Sequence, residues 1–517
     1  MLYRRETSCY TAPMRNTMLR FWFGIFCLVA LAACGSSKAP TPSFDWRAAV
    51  TTLNYNDDDR DEDRRLAAVM LGVHHQSEAT VMLIEHLERD ADPKVRAACA
   101  FALGRIGGEP AVEALFKSLP TPSSIVRGEI VRALDGRINA ERATRLLTFA
   151  ENTDGDTQLL VARVLAGAGF EKEAKSLKVD PVRMATENEP RRVYVDATTG
   201  DDAAPGAGEQ PVATIKRGLE LLGPGDTLYV AGKAKEPLRE SVVIPARLSG
   251  LPQQPTRIIA WPGKPRPVIQ PTRAYDASTF TPDENGGYRL SVEEKVFGVA
   301  IVQGQQVLSL TMPELDDEYA DGVFTYDEQT KELKLTVKAD RGKFAGKVEV
   351  AFAPDGIVVE GANDVLIDGF DVLYAPDSGL DAEHAYRVSF IDCSATHCLR
   401  HGIFTYYAPL ATIDSCRADY CVYQGISVRT SPQTVISRCR ATHNRTHGIL
   451  LLYDTDDAVV LDCESRLNFR QLSFIQGSDF GRVIKCRFDQ PAAEVIHYET
   501  GSRSEERRVG KECRSRW

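Results

Sequence analysis

The sequence predicts a multidomain chain, an α-helical solenoid followed by an all-β coil of parallel strands. Three observations predict it. Leu71, Leu103, Leu134 and Leu165 recur 32, 31 and 31 residues apart, each inside an amphipathic helical stretch. Cys393, Cys416, Cys439, Cys463 and Cys486 recur 23, 23, 24 and 23 residues apart, each in a short β-like segment. Between these two regions, residues 275–353 alternate apolar and polar in the antiparallel β manner. Fixed periods of this length mark repeat architectures, so the period is read before any motif.

The N-terminus reads as an export signal. Arg15 and Arg20 precede an apolar run from Phe21 to Ala33, which ends in Leu31-Ala-Ala-Cys34 followed by Gly35. The run is too short to span a bilayer. This stretch resembles the bacterial lipoprotein signal. The resemblance implies that residues 1–33 are removed and that Cys34 is lipidated, with an ordinary signal peptide as the alternative. The expected location is exported and lipid-anchored, at the outer membrane or cell surface, with the lipid as the only membrane contact. Residues 34–56 then form a linker.

The helical region runs over 57–180. Its units include RRLAAVMLG (Arg64–Gly72), VRAACAFALG (Val95–Gly104), VRGEIVRALD (Val126–Asp135) and LVARVLAG (Leu160–Gly167). Ala97, Ala98 and Ala100 let neighbouring helices approach closely, and Asp92-Pro93 supplies a cap and a first-turn proline. These units resemble HEAT-like repeats of the short bacterial type. That implies stacked helix pairs with a long concave face. The face either binds a protein partner or serves as a stalk for the next domain. Cys99 falls on the apolar side and reads as core.

The β region runs over 191–502. It enters through RRVYVDATTGDD (Arg191–Asp202), ATIKRGLE (Ala213–Glu220) and PGDTLYV (Pro224–Val230). These pieces resemble the N-terminal entry of right-handed parallel β-helix proteins of the pectin-lyase-like class, with the helix at 214–222 capping the open end. The antiparallel unit near 275–353 is an insertion. Beyond it, an apolar residue stands three before each periodic cysteine: Phe390, Ile413, Ile436, Val460 and Val483. Cys398, Cys421, Asn444 and Asn468 stand five after the first four cysteines. One rung of a β-helix needs about this many residues, and equivalent positions then stack roughly 4.8 Å apart. The cysteines therefore read as a reduced ladder. Zinc would need four convergent ligands, which a ladder does not offer, and a disulfide is the alternative.

Two polar columns follow from the period. His401, Gln424, His447, Gln471 and Glu494 stand eight after the ladder cysteines. Past the next strand come Tyr406, Tyr407, Arg429, Tyr453, Asp454, Gln476, His497, Tyr498 and Glu499. Aromatic faces stack on sugar rings and arginine pairs a uronate carboxylate, so Tyr406, Tyr407, Tyr453, Gln476, His497, Tyr498 and Glu499 are the substrate-binding candidates. A solvated surface with scattered aromatics is the bland alternative. Class members that cleave acidic polysaccharide use a Lys or Arg base, often with Ca²⁺. Arg429 is the best-placed basic residue and, with His401 and His447 of the first column, which is either a stacked turn or a site wall, makes the catalytic candidates; Asp454, Asp456 and Asp457 are the candidate Ca²⁺ loop, and neither set matches a motif of the family. Lyase-type elimination of an acidic glycan is the favoured function. Hydrolysis needs two carboxylates, which the sequence does not pair. A non-catalytic carbohydrate-binding or structural scaffold is the remaining reading. A basic or paired-acid cluster across adjacent rungs separates enzyme from scaffold.

Charge narrows the partners. The formal net charge is −10, and setting aside the leader and the tail at 503–517, each carrying +3, leaves −16. Such an acidic body disfavours nucleic acid. The tail RSEERRVGKECRSRW (Arg503–Trp517) can be back-translated into a string resembling a short-read sequencing adapter, so it is expected to be non-native.

Overall fold

The computed structural model describes residues 45–55, 60–177, 190–284, 286–313, 320–341, 344–476, 478, 481–489 and 496–498. Cys34, Glu494, Glu499 and the tail at 503–517 lie outside the described residues. Among the described residues no helix is long and apolar enough to cross a membrane.

The first part of the chain folds into helices α1 (Trp46–Leu53), α2 (Asp61–Val73), α3 (Thr80–Arg89), α4 (Pro93–Ile106), α5 (Glu109–Ser118), α6 (Ser124–Ala133), α7 (Ala140–Ala150), α8 (Gly155–Gly167) and α9 (Glu171–Ser176). Their starts are set by polar caps. Asp92 accepts the backbone N–H of Lys94 and Val95, Asn139 accepts that of Arg142, and Asp154 accepts that of Thr157. Each cap satisfies a donor that the first helical turn leaves orphaned. The even-numbered helices α2, α4, α6 and α8 stack side by side into one row. Gly72 lets α2 touch α4, because a Cβ there would lie 2.5 Å from the Ala102 Cα.

The second part is a three-sided coil of parallel strands. One sheet has nine strands, from Arg192–Asp196 to Arg482–Ile484. A second has seven, from Val268–Ile269 to Arg487–Asp489. The third has eight: Val242–Pro245, Ile357–Glu360, Ser378–Glu383, His401–Tyr406, Ile426–Arg429, His447–Leu452, Arg470–Ile475 and Ile496–Tyr498. Register follows the period seen in the sequence. Phe390 pairs with Ile413, Ile413 with Ile436, Ile436 with Val460 and Val460 with Val483. All five point into the core and are at most 4% exposed. The eight described cysteines are buried free thiols. Within the ladder, Cys416 Sγ lies 3.3 Å from the Phe390 carbonyl one rung below, a distance at which the thiol donates weakly.

In five successive rungs of the coil the same turn uses left-handed backbone without glycine. Asp392, Ser415, Arg438, Asp462 and Lys485, one per rung, have φ between 45° and 57°. Left-handed backbone costs an L-residue about 1–2 kcal/mol. The rung-to-rung pairing on either side of these turns holds them there.

The insertion spans strands from Thr272–Asp276 to Lys347–Ala351 and forms its own eight-stranded sheet. Its pairs are antiparallel except Gln306–Thr311 with Gly322–Asp327, which are parallel.

The helical row packs on the coil. Arg65 of α2 donates to the His384 carbonyl at 2.9 Å, and Phe101 of α4 lies 4.7 Å from the Tyr386 ring. Asn363 donates to Glu129 of α6 at 2.8 Å, and Arg163 of α8 pairs Asp226 at 2.5 Å. Tyr386 and Leu251 of the coil belong to the same apolar cluster as the helices. The chain's own coil thus covers one side of this row.

Candidate functional site

The third sheet has one face turned inward and one turned out. Leu380, Ala382, Ile403, Ile426, Val428, Ile449 and Leu451 point into the core. Strand alternation puts their neighbours on the outer face. Two outward columns result. Asp381, Phe404, Ser427, Leu450, Ser473 and His497 form one. Glu360, Glu383, Tyr406, Arg429, Leu452 and Ile475 form the other.

Both long edges of this face are bordered. On one side the insertion leans on the turns before the third sheet, where Arg445 pairs Asp321 at 2.7 Å. On the other side stands α2. The Tyr406 hydroxyl donates to Glu62 at 3.1 Å, and His74 just past the helix end lies 3.8 Å from Asp457. The twelve residues from Glu62 to His74 rise about 18 Å, while their contacts Tyr406 and Asp457 lie two rungs apart, about 10 Å. Helix α2 thus runs obliquely along this border.

The acidic end of the face carries the strongest electrostatics. Asp381 stands between Val358 and Phe404 in its column, is 5% exposed, and its Oδ1 has no hydrogen-bond partner among the described residues. Burial, then the negative charges of Glu383, Asp355 and Asp377, push its carboxyl well above the usual range. Asp355 is pushed up in the same way, by burial and then by Asp377 and Glu383, although it accepts the Ser378 N–H at 2.8 Å. Arg400 opposes the cluster and pairs Asp377 at 3.2 Å. Four carboxyl groups on adjacent rungs cannot all ionise cheaply, so protons are retained.

The histidines lie further along. His401 is 8% exposed and stacks on Phe404 with ring centroids 4.8 Å apart. Burial and the nearby Arg400 push it well below its ordinary value. His447 is pushed down to about 4, by burial first and then by Arg470 and His497. Both imidazoles are therefore neutral at neutral pH.

Arg429 is held between aromatic faces, 5.3 Å from the Tyr406 ring centre and 4.7 Å from that of Tyr453. Two negative π faces stabilise the guanidinium charge, and a base must first lose it. Tyr407 stacks on His384 at 5.4 Å, on the α2 side. Tyr407, Tyr453 and Gln476 sit at the turn just past the strands, and the Gln476 carbonyl accepts the Asp454 N–H at 3.4 Å. His497 pairs with Ser473 in register, and Tyr498 takes the register of the core residue Phe474.

Asp454, Asp456 and Asp457 do not converge as a loop for Ca²⁺. Asp454 is exposed, the Asp456 carbonyl accepts the Gln433 N–H, and Asp457 turns toward His74. Among the described residues no three His, Cys, Asp or Glu side chains come together as a metal-ligand set. Gln471 also leaves the column expected for it. It pairs with Asn468 inside the coil and is fully buried, while Arg470 takes the place above His447.

The acidic end was not found by sequence reasoning. The signal was present. The 23-residue count that reaches His401 and Gln424 also runs backwards to Ser378 and Asp355. Glu62 carried no signal, since it is brought in from 344 residues away by the packing of α2.

Comparisons place these parts among known folds. A family model for the right handed beta helix region matches residues 355–506. A model for HEAT repeats matches residues 50–135 and 80–166. The chain is thus a helical HEAT-repeat region followed by a right-handed β-helix. No curated protein matches the chain. Among solved structures, XylC in complex with xylose is 12% identical, with 61% of this chain and 68% of that one covered at a TM-score of 0.39. A rhamnogalacturonan lyase is 14% identical over 60% and 71%, at 0.36. A GH136 lacto-N-biosidase from Eubacterium ramulus is 12% identical over 89% and 99%, at 0.30. Likeness of this degree concerns the fold alone.

Proposed function

We propose that the outer face of the third sheet binds a glycan and cleaves it by acid-assisted hydrolysis. The observation that carries this reading is Asp381, a buried, proton-retaining carboxyl on an outward column, with Glu383 two residues on and on the same face. Glycoside hydrolysis needs one carboxyl that stays protonated and one that acts as a carboxylate. Asp381 would donate its proton to the glycosidic oxygen as the bond to the sugar breaks. Glu383 lies about 6.6 Å further along the strand by ordinary β geometry and would activate water or stabilise the positive sugar. A carboxyl pKa raised by burial suits the donor role near neutral pH.

Elimination was the favoured expectation, with Arg429 as base. Its place between two tyrosine rings fits a binding cation better than a proton acceptor. Arg429, His401 and His447 then line the binding face, with Tyr406, Tyr407 and Tyr453 beside them.

The test is product analysis on a panel of neutral and acidic polysaccharides. Hydrolysis gives new reducing ends and no ultraviolet-absorbing unsaturated sugar. Asp381→Asn should lower the rate about 10²–10⁴-fold. Unsaturated products, or activity abolished by chelator and restored by Ca²⁺, would refute hydrolysis in favour of elimination. Binding without cleavage would leave a carbohydrate-binding module. Export and a lipid anchor on Cys34 belong to the same proposal, and labelling with a palmitate analogue that is lost in Cys34→Ser tests them. A protein partner, if one docks on the helices, is left the row α3, α5 and α7.

A further inference from the structure

Glu62 belongs to the helical repeats, yet it stands at the acidic end of the coil's face. Its carboxylate accepts from the Tyr406 hydroxyl at 3.1 Å and lies 4.0 Å from His384 Nε2. Tyr406 is the ladder neighbour of Glu383 below and Arg429 above. The middle of three rungs of one outward column thus meets a residue supplied by another domain.

The position is fixed from beneath. Arg65, one helical turn after Glu62, is 5% exposed and donates to the His384 carbonyl at 2.9 Å and to the Tyr386 hydroxyl at 3.5 Å. Glu62 itself keeps about half of its side chain in solvent, at 46% exposure. A rigid anchor under a solvent-reaching carboxylate is the arrangement of a binding group.

Carboxylates also set what can bind. Glu62 and Glu383 both border Tyr406, one by its hydrogen bond and one as the ladder neighbour, and Asp381 lies two residues before Glu383 on the same strand. The nearby cations already have partners: Arg400 pairs Asp377, Arg65 binds His384, and Arg429 lies between two rings. A carboxylate or sulfate placed here meets like charge, which is costly. A sugar hydroxyl is instead a donor, and a carboxylate accepts it strongly. The Asp381 carboxyl, whose Oδ1 has no partner among the described residues, adds a group to which a sugar hydroxyl can bond.

From this geometry we propose that Glu62 of the helical repeats, with Glu383, Asp381 and Tyr406 of the coil, forms one subsite that takes an uncharged sugar through its hydroxyls. The helical repeats are then part of the binding site and exclude uronate and sulfated residues from this position. The inference rests on the glycan reading of the face and narrows it.

The experiment uses the full chain and an array of neutral, uronate-bearing and sulfated oligosaccharides, with affinities measured by calorimetry for the best binder. Glu62→Gln keeps the size of the side chain and an acceptor for Tyr406 but loses the charge. It should weaken a neutral ligand about tenfold, the worth of one charge-assisted hydrogen bond. Asp61→Asn removes the same charge from the same helical turn and should leave affinity unchanged. Glu62→Lys should lose the neutral ligand and gain uronate-bearing ones. If Glu62→Gln binds as the parent does, or Asp61→Asn weakens binding equally, the subsite is refuted and the glycan face stands. If the parent prefers uronate or sulfate, the specificity is refuted and the face again stands. If the parent binds no oligosaccharide, both fall together.

Discussion

His447 offers a test of the face that needs no substrate. Its ring nitrogens have no hydrogen-bond partner among the described residues, Arg470 stands one rung above, and His497 is near. Its pKa falls from 6.5 to about 4. The unfolded chain therefore takes up a proton as pH drops through 6.5, while the folded chain does not until about pH 4. Stability supplied by the neutral ring is present above pH 6.5 and is lost as pH falls to 4. A tenfold change in proton affinity is worth about 1.4 kcal/mol, so the loss is about 3 kcal/mol. His447→Gln cannot titrate in this window. Urea unfolding of both proteins at steps from pH 7 to pH 4 gives the difference in stability at each pH. The difference should decline by about 3 kcal/mol across the window. Asp355 and Asp381 act the other way, since raised carboxyls lose stability as pH rises, but both proteins carry them and they cancel in the difference. The lowered His401 cancels likewise. A difference that stays flat within about 0.5 kcal/mol would refute the desolvated placement of His447.

The thiols and the turn amides are separately testable. Cys393, Cys398, Cys416, Cys421, Cys439, Cys463 and Cys486 are buried and free, so mass spectrometry after iodoacetamide should find them unmodified in the folded chain and modified in denaturant. Unmodified thiols in denaturant without reductant would instead reveal disulfides. Asn444 accepts the buried Cys421 N–H at 2.9 Å and donates to the Ala418 carbonyl at 3.0 Å. Asn444→Ala orphans both groups and should cost about 1–3 kcal/mol in urea unfolding.

The cysteine ladder shows how far a period can be read. A spacing of 23 with an apolar residue three before defines both the rung and the side that faces in. Asn444 and Asn468 fall at a stacked turn by the same count, and they do bond along the stack, with Asn444 Nδ2 donating to Asn468 at 3.0 Å. The same reasoning fails at Gln471. Thr442 pairs with Arg466, 24 residues on, but His447 pairs with Arg470, 23 on, so the stretch from Cys463 to its strand is one residue shorter than in the rung before. An offset of eight from Cys463 then lands on the glycine column, where the side chain turns inward.

The helical repeat, the coil, the inserted sheet and the core ladder were all legible in the sequence, because each depends on contacts at a constant separation along the chain. Arg429 and its tyrosines could be gathered onto one face for the same reason. The chemistry of that face came from tertiary packing alone. The proton held by Asp381 depends on burial beside Phe404 and on charges from neighbouring rungs. Glu62 reaches Tyr406 only because the α2 to α8 row docks on the coil through Arg65, Phe101, Glu129 and Arg163. Those contacts have no period. Packing between two solenoids depends on the shape and charge of whole surfaces, which no local pattern of residues encodes.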